Sequence, residues 1–147
     1  MAIIKEDYVS FEVSKLLKEK GFPQEYDIYH SMVYNEEDYE DEYEVQRMVL
    51  ETKLVKAGTL SSYPIGVPEP KCYCPTHQMA MQWLRDEHDI FITVFPDKIH
   101  DTTALFWNVY IVTEKEYKWI FAGGGVNMTY EELIEEALLY VLKTLIN

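Results

Sequence analysis

Cysteine is scarce in this sequence, since Cys72 and Cys74 are the only two cysteines among 147 residues. Two cysteines cannot build the disulfide framework of a small secreted protein, and so low a number is typical of the reducing cytoplasm. Long apolar runs are also missing, because runs such as 109–112 are far too short to cross a bilayer. No basic region followed by a long apolar stretch marks a signal peptide. We therefore expect a cytoplasmic protein without a membrane segment.

Basic residues are few as well. The chain has 13 Lys and Arg against 26 Asp and Glu, which gives a formal net charge of −13. A chain this acidic repels the phosphates of nucleic acids and the headgroups of anionic membranes. We therefore expect no direct binding to nucleic acid and no membrane association, and the partner that suits this charge is a basic protein surface.

Established catalytic signatures do not occur in this sequence. The Gly-x-Ser-x-Gly and His-Glu-x-x-His patterns are missing. Gly123–Gly125 lies between a predicted strand and a predicted helix, as a phosphate-binding loop does, but lacks the Lys-Ser/Thr pair of the P-loop. The sequence thus predicts no catalytic residue, no cofactor-binding residue and no cofactor. An interaction protein is favoured over an enzyme.

Acidic residues are concentrated in one segment, Tyr34–Glu44, which holds seven carboxylates and three tyrosines and no basic residue. These carboxylates account for more than half of the net charge, and their mutual repulsion should keep the segment extended and exposed. Tyrosine adds a large contact area with one polar tip. The candidate partner-binding residues are therefore Tyr34, Glu36, Glu37, Asp38, Tyr39, Glu40, Asp41, Glu42 and Tyr43.

Two other interpretations of the acidic segment remain open. It can be a solvated loop whose charge only aids solubility. It can also be a divalent-cation site, because Asp38, Glu40 and Glu42 alternate along the chain, although the EF-hand loop with its central Gly is not present.

Three helices are predicted from caps and apolar periodicity. Ser10 as N-cap and Gly21 as the C-terminal stop bracket a helix over 11–20. A second helix covers 76–89, and we expect Glu87 on its buried face. The third begins at the capping box Thr129–Glu132. Its buried stripe comprises Leu133, Ile134, Ala137, Leu138, Val141, Leu142 and Leu145.

Strands are predicted by alternation and by turn residues. We expect strands over 25–34, over 90–95 where Pro96 should stop the strand, and in a hairpin of 105–112 with 117–122. Residues 45–57 fit a helical stripe as well as a strand, and we favour a strand because the acidic segment then becomes a hairpin loop. Residues 58–71 form a Pro- and Gly-containing loop. The expected fold is a single α+β domain, 1–147, with an antiparallel sheet of four or five strands and helices on one face.

Cys72, Cys74 and His77 are the cluster with the chemistry of a soft-metal site, and they carry the alternative function. A Cys-x-Cys pair and a nearby His supply three of the four ligands of a tetrahedral zinc site. Cys74 also precedes a predicted helix, whose dipole would stabilise a thiolate nucleophile with His77 as its base. The alternative is therefore a small enzyme or metal-binding domain centred on these three residues.

Two blocks of the sequence are similar to a known group of proteins. They are Ser-Phe-Glu…Lys-Leu-Leu-Lys-Glu-Lys-Gly-Phe over 10–22 and Pro-Thr-His-Gln-Met-Ala-Met-Gln-Trp-Leu-Arg over 75–85. The chain resembles small uncharacterised proteins encoded by phages, prophages and other mobile elements of gut Bacteroidetes, which also end in a helix with a cap like 129–132. The resemblance implies an accessory protein of a mobile element. It implies no catalytic residue, and Cys74 stands where those proteins often have Ala.

Overall fold

The computed structural model describes residues 6–25, 28–34, 50–56, 71–98, 105–115, 117–121 and 128–146. It divides into two compact units: unit 1 comprises residues 1–22 and 75–147, and unit 2 comprises residues 23–74. The elements are α1 (Phe11–Glu19), β1 (Ile28–Tyr34), β2 (Leu50–Lys56), β3 (Cys72–Tyr73), α2 (His77–His88), β4 (Phe91–Lys98), β5 (Leu105–Val112), β6 (Tyr117–Phe121) and α3 (Tyr130–Tyr140), followed by a π-helical turn (Val141–Leu145). The α+β class is as expected, while the single domain is not confirmed.

The described strands form two antiparallel three-stranded sheets, in the orders β2-β1-β3 and β4-β5-β6. The expected single sheet of four or five strands is therefore not what these strands build. In each of these sheets the central strand, β1 or β5, has both of its hydrogen-bonding edges occupied. None of the described helices has the length and apolar content needed to span a membrane.

Unit 2 is built on the antiparallel pair of β1 and β2, in which Tyr34 pairs with Leu50 and Ile28 with Lys56. The predicted pairing of the strands on either side of the acidic segment is thus confirmed, and β2 supports the strand interpretation of 45–57. The short strand β3 was not predicted. It pairs Tyr73 with Tyr29, and the Tyr73 N–H donates to the Gln24 side chain at 2.8 Å.

Helix α1 begins and ends where the local signals place it. The Ser10 hydroxyl accepts the Val13 N–H at 3.2 Å, which satisfies one of the free donors of the first turn. Gly21 has φ +96°, a conformation that other residues adopt only with strain. Val13 and Leu17 are fully buried on one side of the helix.

The sheet of unit 1 carries α2 and α3 against β4 and β5. Val109 and Ile111, alternate residues of β5, are buried, so one face of this sheet belongs to the core. Strand β4 does not stop at Pro96 but continues to Lys98, with Pro96 opposite Trp107. Because β4 lies at the edge of the described sheet, its proline forfeits no ladder hydrogen bond on the outer side.

Helix α2 is capped by the Thr76 hydroxyl, which accepts the Met79 N–H at 3.2 Å. The prediction that Glu87 lies on the buried face is wrong, because Glu87 is exposed. The buried residues of α2 follow the spacing i, i+3, i+4, i+7 from His77, and Glu87 does not lie on this face. They are His77, Ala80, Met81 and Leu84.

Helix α3 begins at the predicted cap, where the Thr129 hydroxyl accepts the Glu132 N–H at 3.1 Å. The predicted stripe is buried from Leu133 to Leu142, but Leu145 is 38% exposed and Ile146 is 7% exposed. The cause is the π-helical turn, in which the Ile146 N–H bonds the Val141 carbonyl five residues back. The extra residue in this turn shifts the buried phase from Leu145 to Ile146.

Candidate functional site

The predicted partner-binding residues from Glu36 to Tyr43 lie outside the described residues. Tyr34, the first of the set, contributes its backbone to β1. Their role in binding therefore stays a prediction.

Cys72 and Cys74 belong to unit 2 and are 1% and 0% exposed. Neither is in a disulfide. The backbone N–H of Cys74 donates to the Ile28 carbonyl at 2.9 Å, which extends the pairing along β1. Thiols buried to this degree behave as small packed side chains rather than as accessible nucleophiles.

His77 belongs to unit 1, where it is the first residue of α2 and only 5% exposed. Its Nε2 lies 2.8 Å from Glu135 Oε1. Within the part of the chain that the structure describes, no group of three His, Cys, Asp or Glu side chains is arranged to hold a metal ion. The geometry of His77 therefore points to Glu135 as its partner rather than to a metal.

Glu135 is the acceptor around which this part of unit 1 is organised. Its Oε1 accepts the backbone N–H of Ser10 at 2.9 Å as well as the His77 contact. Ser10 precedes α1, His77 begins α2 and Glu135 lies in the middle of α3, so one carboxylate oxygen connects the starts of two helices to a third. Charge-assisted hydrogen bonds of this kind are stronger than neutral ones.

The N-terminal segment brings Ser10 to this position by pairing with the entry to α2. Tyr8 forms an antiparallel bridge with Thr76. The Val9 N–H donates to the Pro75 carbonyl at 3.0 Å, and the His77 N–H donates to the Asp7 carbonyl at 2.9 Å. These backbone bonds fix the register of residues 7–9 against 75–77.

A cavity of about 410 Å³ opens beside this cluster. No Lys or Arg is found among the described residues that line it, whereas carboxylates line it on two sides. The lining comprises Asp7, Tyr8, Ser10, His77, Met128, Glu131, Glu132, Glu135 and Glu136. We call this the acidic cavity, and its negative potential suits cationic groups.

The pKa of Glu135 is lowered from its ordinary value. Burial of the carboxyl group acts to raise this pKa, but the hydrogen bonds from His77 and from Ser10 lower it by more. The carboxylate is therefore the form that the site stabilises.

A carboxylate that orients a histidine is also found where histidine acts as a general base. Such a base needs a hydroxyl or thiol within about 3 Å. The hydrogen bonds of His77 lead to Glu135 through Nε2 and to the Asp7 carbonyl through the backbone N–H. The His77–Glu135 pair is a contact that connects α2 to α3.

A second cavity of about 450 Å³ lies at the end of α2 and is lined by His88, Asp89, Glu114 and Lys115. Its remaining lining is Ile90, Thr113 and Leu145. Charged groups of both signs line this cavity.

Sequence reasoning selected His77 but missed Glu135 and the other carboxylates of the acidic cavity. One signal in the sequence could have found them. Glu131 with Glu135 and Glu132 with Glu136 are like-charged pairs at i, i+4, which destabilise an isolated helix. Repeated glutamates at this spacing, with no Lys or Arg to pair with them, indicate that tertiary contacts or function maintain these glutamates.

Comparison of the chain with protein-family models, with curated proteins and with solved structures gives no match. The function must therefore be argued from the charges and geometry of this chain.

Proposed function

We propose that this protein is a non-enzymatic accessory protein of a phage or mobile element. It binds a basic partner protein through an acidic, tyrosine-bearing surface. The observation that carries the proposal is the charge. Seven carboxylates lie in 34–44, in a chain with a formal net charge of −13. Carboxylates at this density attract Lys- and Arg-rich surfaces over distances of roughly 8 Å at physiological ionic strength.

The tyrosines support binding rather than mere solubility. Tyr34, Tyr39 and Tyr43 lie among the carboxylates of 34–44. Solubility requires charge but no aromatic residues, whereas contact surfaces are enriched in tyrosine because it buries a large area at low entropic cost.

The acidic cavity of unit 1 adds a second region of uncompensated negative charge. Its carboxylates come from α3 and from Asp7, and no described Lys or Arg lines it. A basic protein that approaches this chain is therefore attracted by more than one region, which favours fast, salt-sensitive association. A partner that normally binds DNA would suit this surface, since carboxylates can replace phosphates in its basic groove.

No observation favours the alternative of an enzyme or metal-binding domain centred on Cys72, Cys74 and His77. The two cysteines are buried and His77 is bonded to Glu135. The interaction protein is therefore the single function proposed.

The test is affinity capture of partners from host lysate at low and at high salt. One variant replaces the carboxylates of the acidic segment with amides, at Glu36, Glu37, Asp38, Glu40, Asp41 and Glu42. We expect wild type to retain basic proteins at low salt and to lose them as salt rises. The variant should retain far less, mainly because association slows.

A matched control removes the same number of charges from exposed positions elsewhere, at Glu6, Glu19, Glu25, Asp86, Glu87 and Glu114. If only the total charge matters, both variants lose the partners equally. Retention of the same partners at the same salt by wild type and by the segment variant would show that 34–44 is only a solvated loop. Thermal melts of all three proteins show whether either set of substitutions affects folding.

A further inference from the structure

We propose that Glu135 is a pH-sensitive latch, which holds the start of α1 and the start of α2 on α3 while it is a carboxylate and loosens them when it takes up a proton. The latch consists of Glu135 Oε1, the Ser10 N–H at 2.9 Å and His77 Nε2 at 2.8 Å. This device is independent of the proposed function and concerns unit 1 alone.

The first step of the argument is that one oxygen serves two donors on different elements. The Ser10 N–H belongs to the N-cap residue of α1, and it lies outside the hydrogen bonds of that helix. His77 is almost fully buried, so its Nε2 requires a partner within the protein. A carboxylate can accept both bonds, whereas the protonated acid is a weaker acceptor.

The second step compares Glu135 with another polar contact between α1 and the π-helical turn. Lys143 Nζ bonds Glu12 Oε1 at 2.9 Å, but both side chains are more than half exposed, so this pair contributes little. The backbone bonds of residues 7–9 lead to the entry of α2 and not to α3. Glu135 is less exposed than the Lys143–Glu12 pair, so its hydrogen bonds are less screened by water and salt.

The third step is the direction in pH. The lowered pKa of Glu135 means that the folded state prefers the carboxylate. The stabilisation is therefore fully present above the ordinary glutamate pKa of 4.5, and it is lost as the pH falls through the lower folded value. Acid loosens the latch, and neutral pH closes it.

Other titratable groups face the latch from each neighbouring element. The N-terminal segment contributes Asp7 and Tyr8, α2 contributes His77, and α3 contributes Glu131, Glu132 and Glu136. Protonation of the neighbouring carboxylates removes repulsion and opposes the opening. A test must therefore separate Glu135 from these groups.

The apolar contacts of α1 do not titrate. Val13 and Leu17 are buried apolar side chains, so a change in the charge of Glu135 does not remove their contribution directly. The structure therefore predicts local loosening of residues 7–10 and of the entry to α2, while the core of unit 1 stays folded.

The experiment follows the Glu135 carboxyl carbon and the Ser10 amide proton by NMR in the full chain from pH 7 to pH 2.5. We expect both signals to move with one shared midpoint below 4.5, the ordinary glutamate value. The proposal would be overturned if the chemical shift of the Ser10 amide proton did not change as Glu135 titrates.

Variants then isolate the residue by amide hydrogen exchange at pH 7. Glu135→Gln should lower the protection of the Ser10 amide by roughly tenfold, which corresponds to one lost charged hydrogen bond, and leave Leu138 protected. Glu136→Gln makes the same change of charge one residue away and should leave Ser10 unchanged. Equal effects of the two variants, or equal loss at Ser10 and Leu138, would contradict a local latch. If Glu135→Gln does not fold, the titration of wild type decides alone.

Discussion

At the residue scale, three hydroxyl side chains define where the helices begin. Ser10, Thr76 and Thr129 each accept a backbone N–H from the residue three positions later. Ser10 and Thr129 were predicted as caps from sequence alone, because a cap depends on four consecutive residues and little else. Glu132 departs from the reciprocal capping box, since its carboxylate accepts the Thr129 hydroxyl at 3.2 Å.

Replacement of the cap of α3 gives a direct test. Thr129→Ala removes the acceptor of the Glu132 N–H, and we expect it to lower the free energy of unfolding by about 1 kcal/mol. Thr129→Ser keeps the hydroxyl and serves as the control, with a loss below about 0.5 kcal/mol. Urea denaturation measures both, and equal midpoints for Ala and Ser would mean that the cap does not stabilise this helix.

The contacts of Glu135 cannot be predicted from its local sequence. Glu135 lies beside the apolar stripe of α3 among three other glutamates of the same helix, Glu131, Glu132 and Glu136. Nothing local distinguishes it from Glu136, which is exposed. The difference comes from Ser10 and His77, 125 and 58 positions away in the chain.

At the element scale, the end of the last helix departs from α-helical geometry. The π-helical turn Val141–Leu145 places Ile146 rather than Leu145 in the core. A periodicity of 3.6 cannot anticipate this change, because the shift in phase arises from one backbone hydrogen bond that spans five residues instead of four.

Substitutions of Leu145 and Ile146, at the end of the last helix, test which of the two side chains lies in the core. Ile146→Ala should lower the free energy of unfolding by about 2 kcal/mol, since it removes buried methyl groups and leaves a cavity. Leu145→Ala should lower it by less than about 1 kcal/mol, because this side chain is already 38% exposed. Chemical denaturation of both variants provides the comparison. A larger loss for Leu145→Ala would indicate a continuous α-helix.

Strand β4 shows a second departure at this scale. Pro96 was expected to end the strand, yet β4 continues in register with β5 as far as Lys98 opposite Leu105. A proline lacks one donor, and whether that donor is missed depends on which side of the strand has a neighbour. Only the order of the strands supplies that information.

At the scale of the whole molecule, net charge is the dominant property. The excess of acidic over basic residues is twofold, 26 against 13. Such a chain repels itself and other anions, and it binds cations with little geometric demand. The proposed binding of a basic partner uses this property directly, and a metal site built on two thiols does not need it.

Metal content discriminates between the two functions. We expect the purified protein, prepared without chelator, to contain no stoichiometric zinc, because the cluster lacks a clear fourth ligand and His77 is bonded to Glu135. Elemental analysis measures the zinc per chain. One zinc per chain in wild type that is absent from a Cys72→Ser, Cys74→Ser variant would reverse the ranking in favour of a metal-binding domain.

Local sequence patterns predict the α+β class, the three helices with two of their caps, and the antiparallel pair β5–β6. For the pair β1–β2 they only favour a strand over a helix in 45–57. The caps and the β5–β6 hairpin depend on neighbours in the chain: a hydroxyl three residues before an amide, or alternation on both sides of a short turn. Net charge is likewise a sum over residues and needs no fold.

Three features depend on the tertiary structure: the division of the described strands into two sheets, the pairing of β3 with β1, and the contacts of Glu135 with Ser10 and His77. Each of these depends on segments that are distant in sequence. Edge occupancy, the phase of a π-helical turn and the choice of one glutamate among four are set by the packing of whole elements. Local propensity does not predict such packing, because the same local pattern is compatible with several arrangements of the elements. The arrangement observed is the one in which the core contacts also agree with these local preferences.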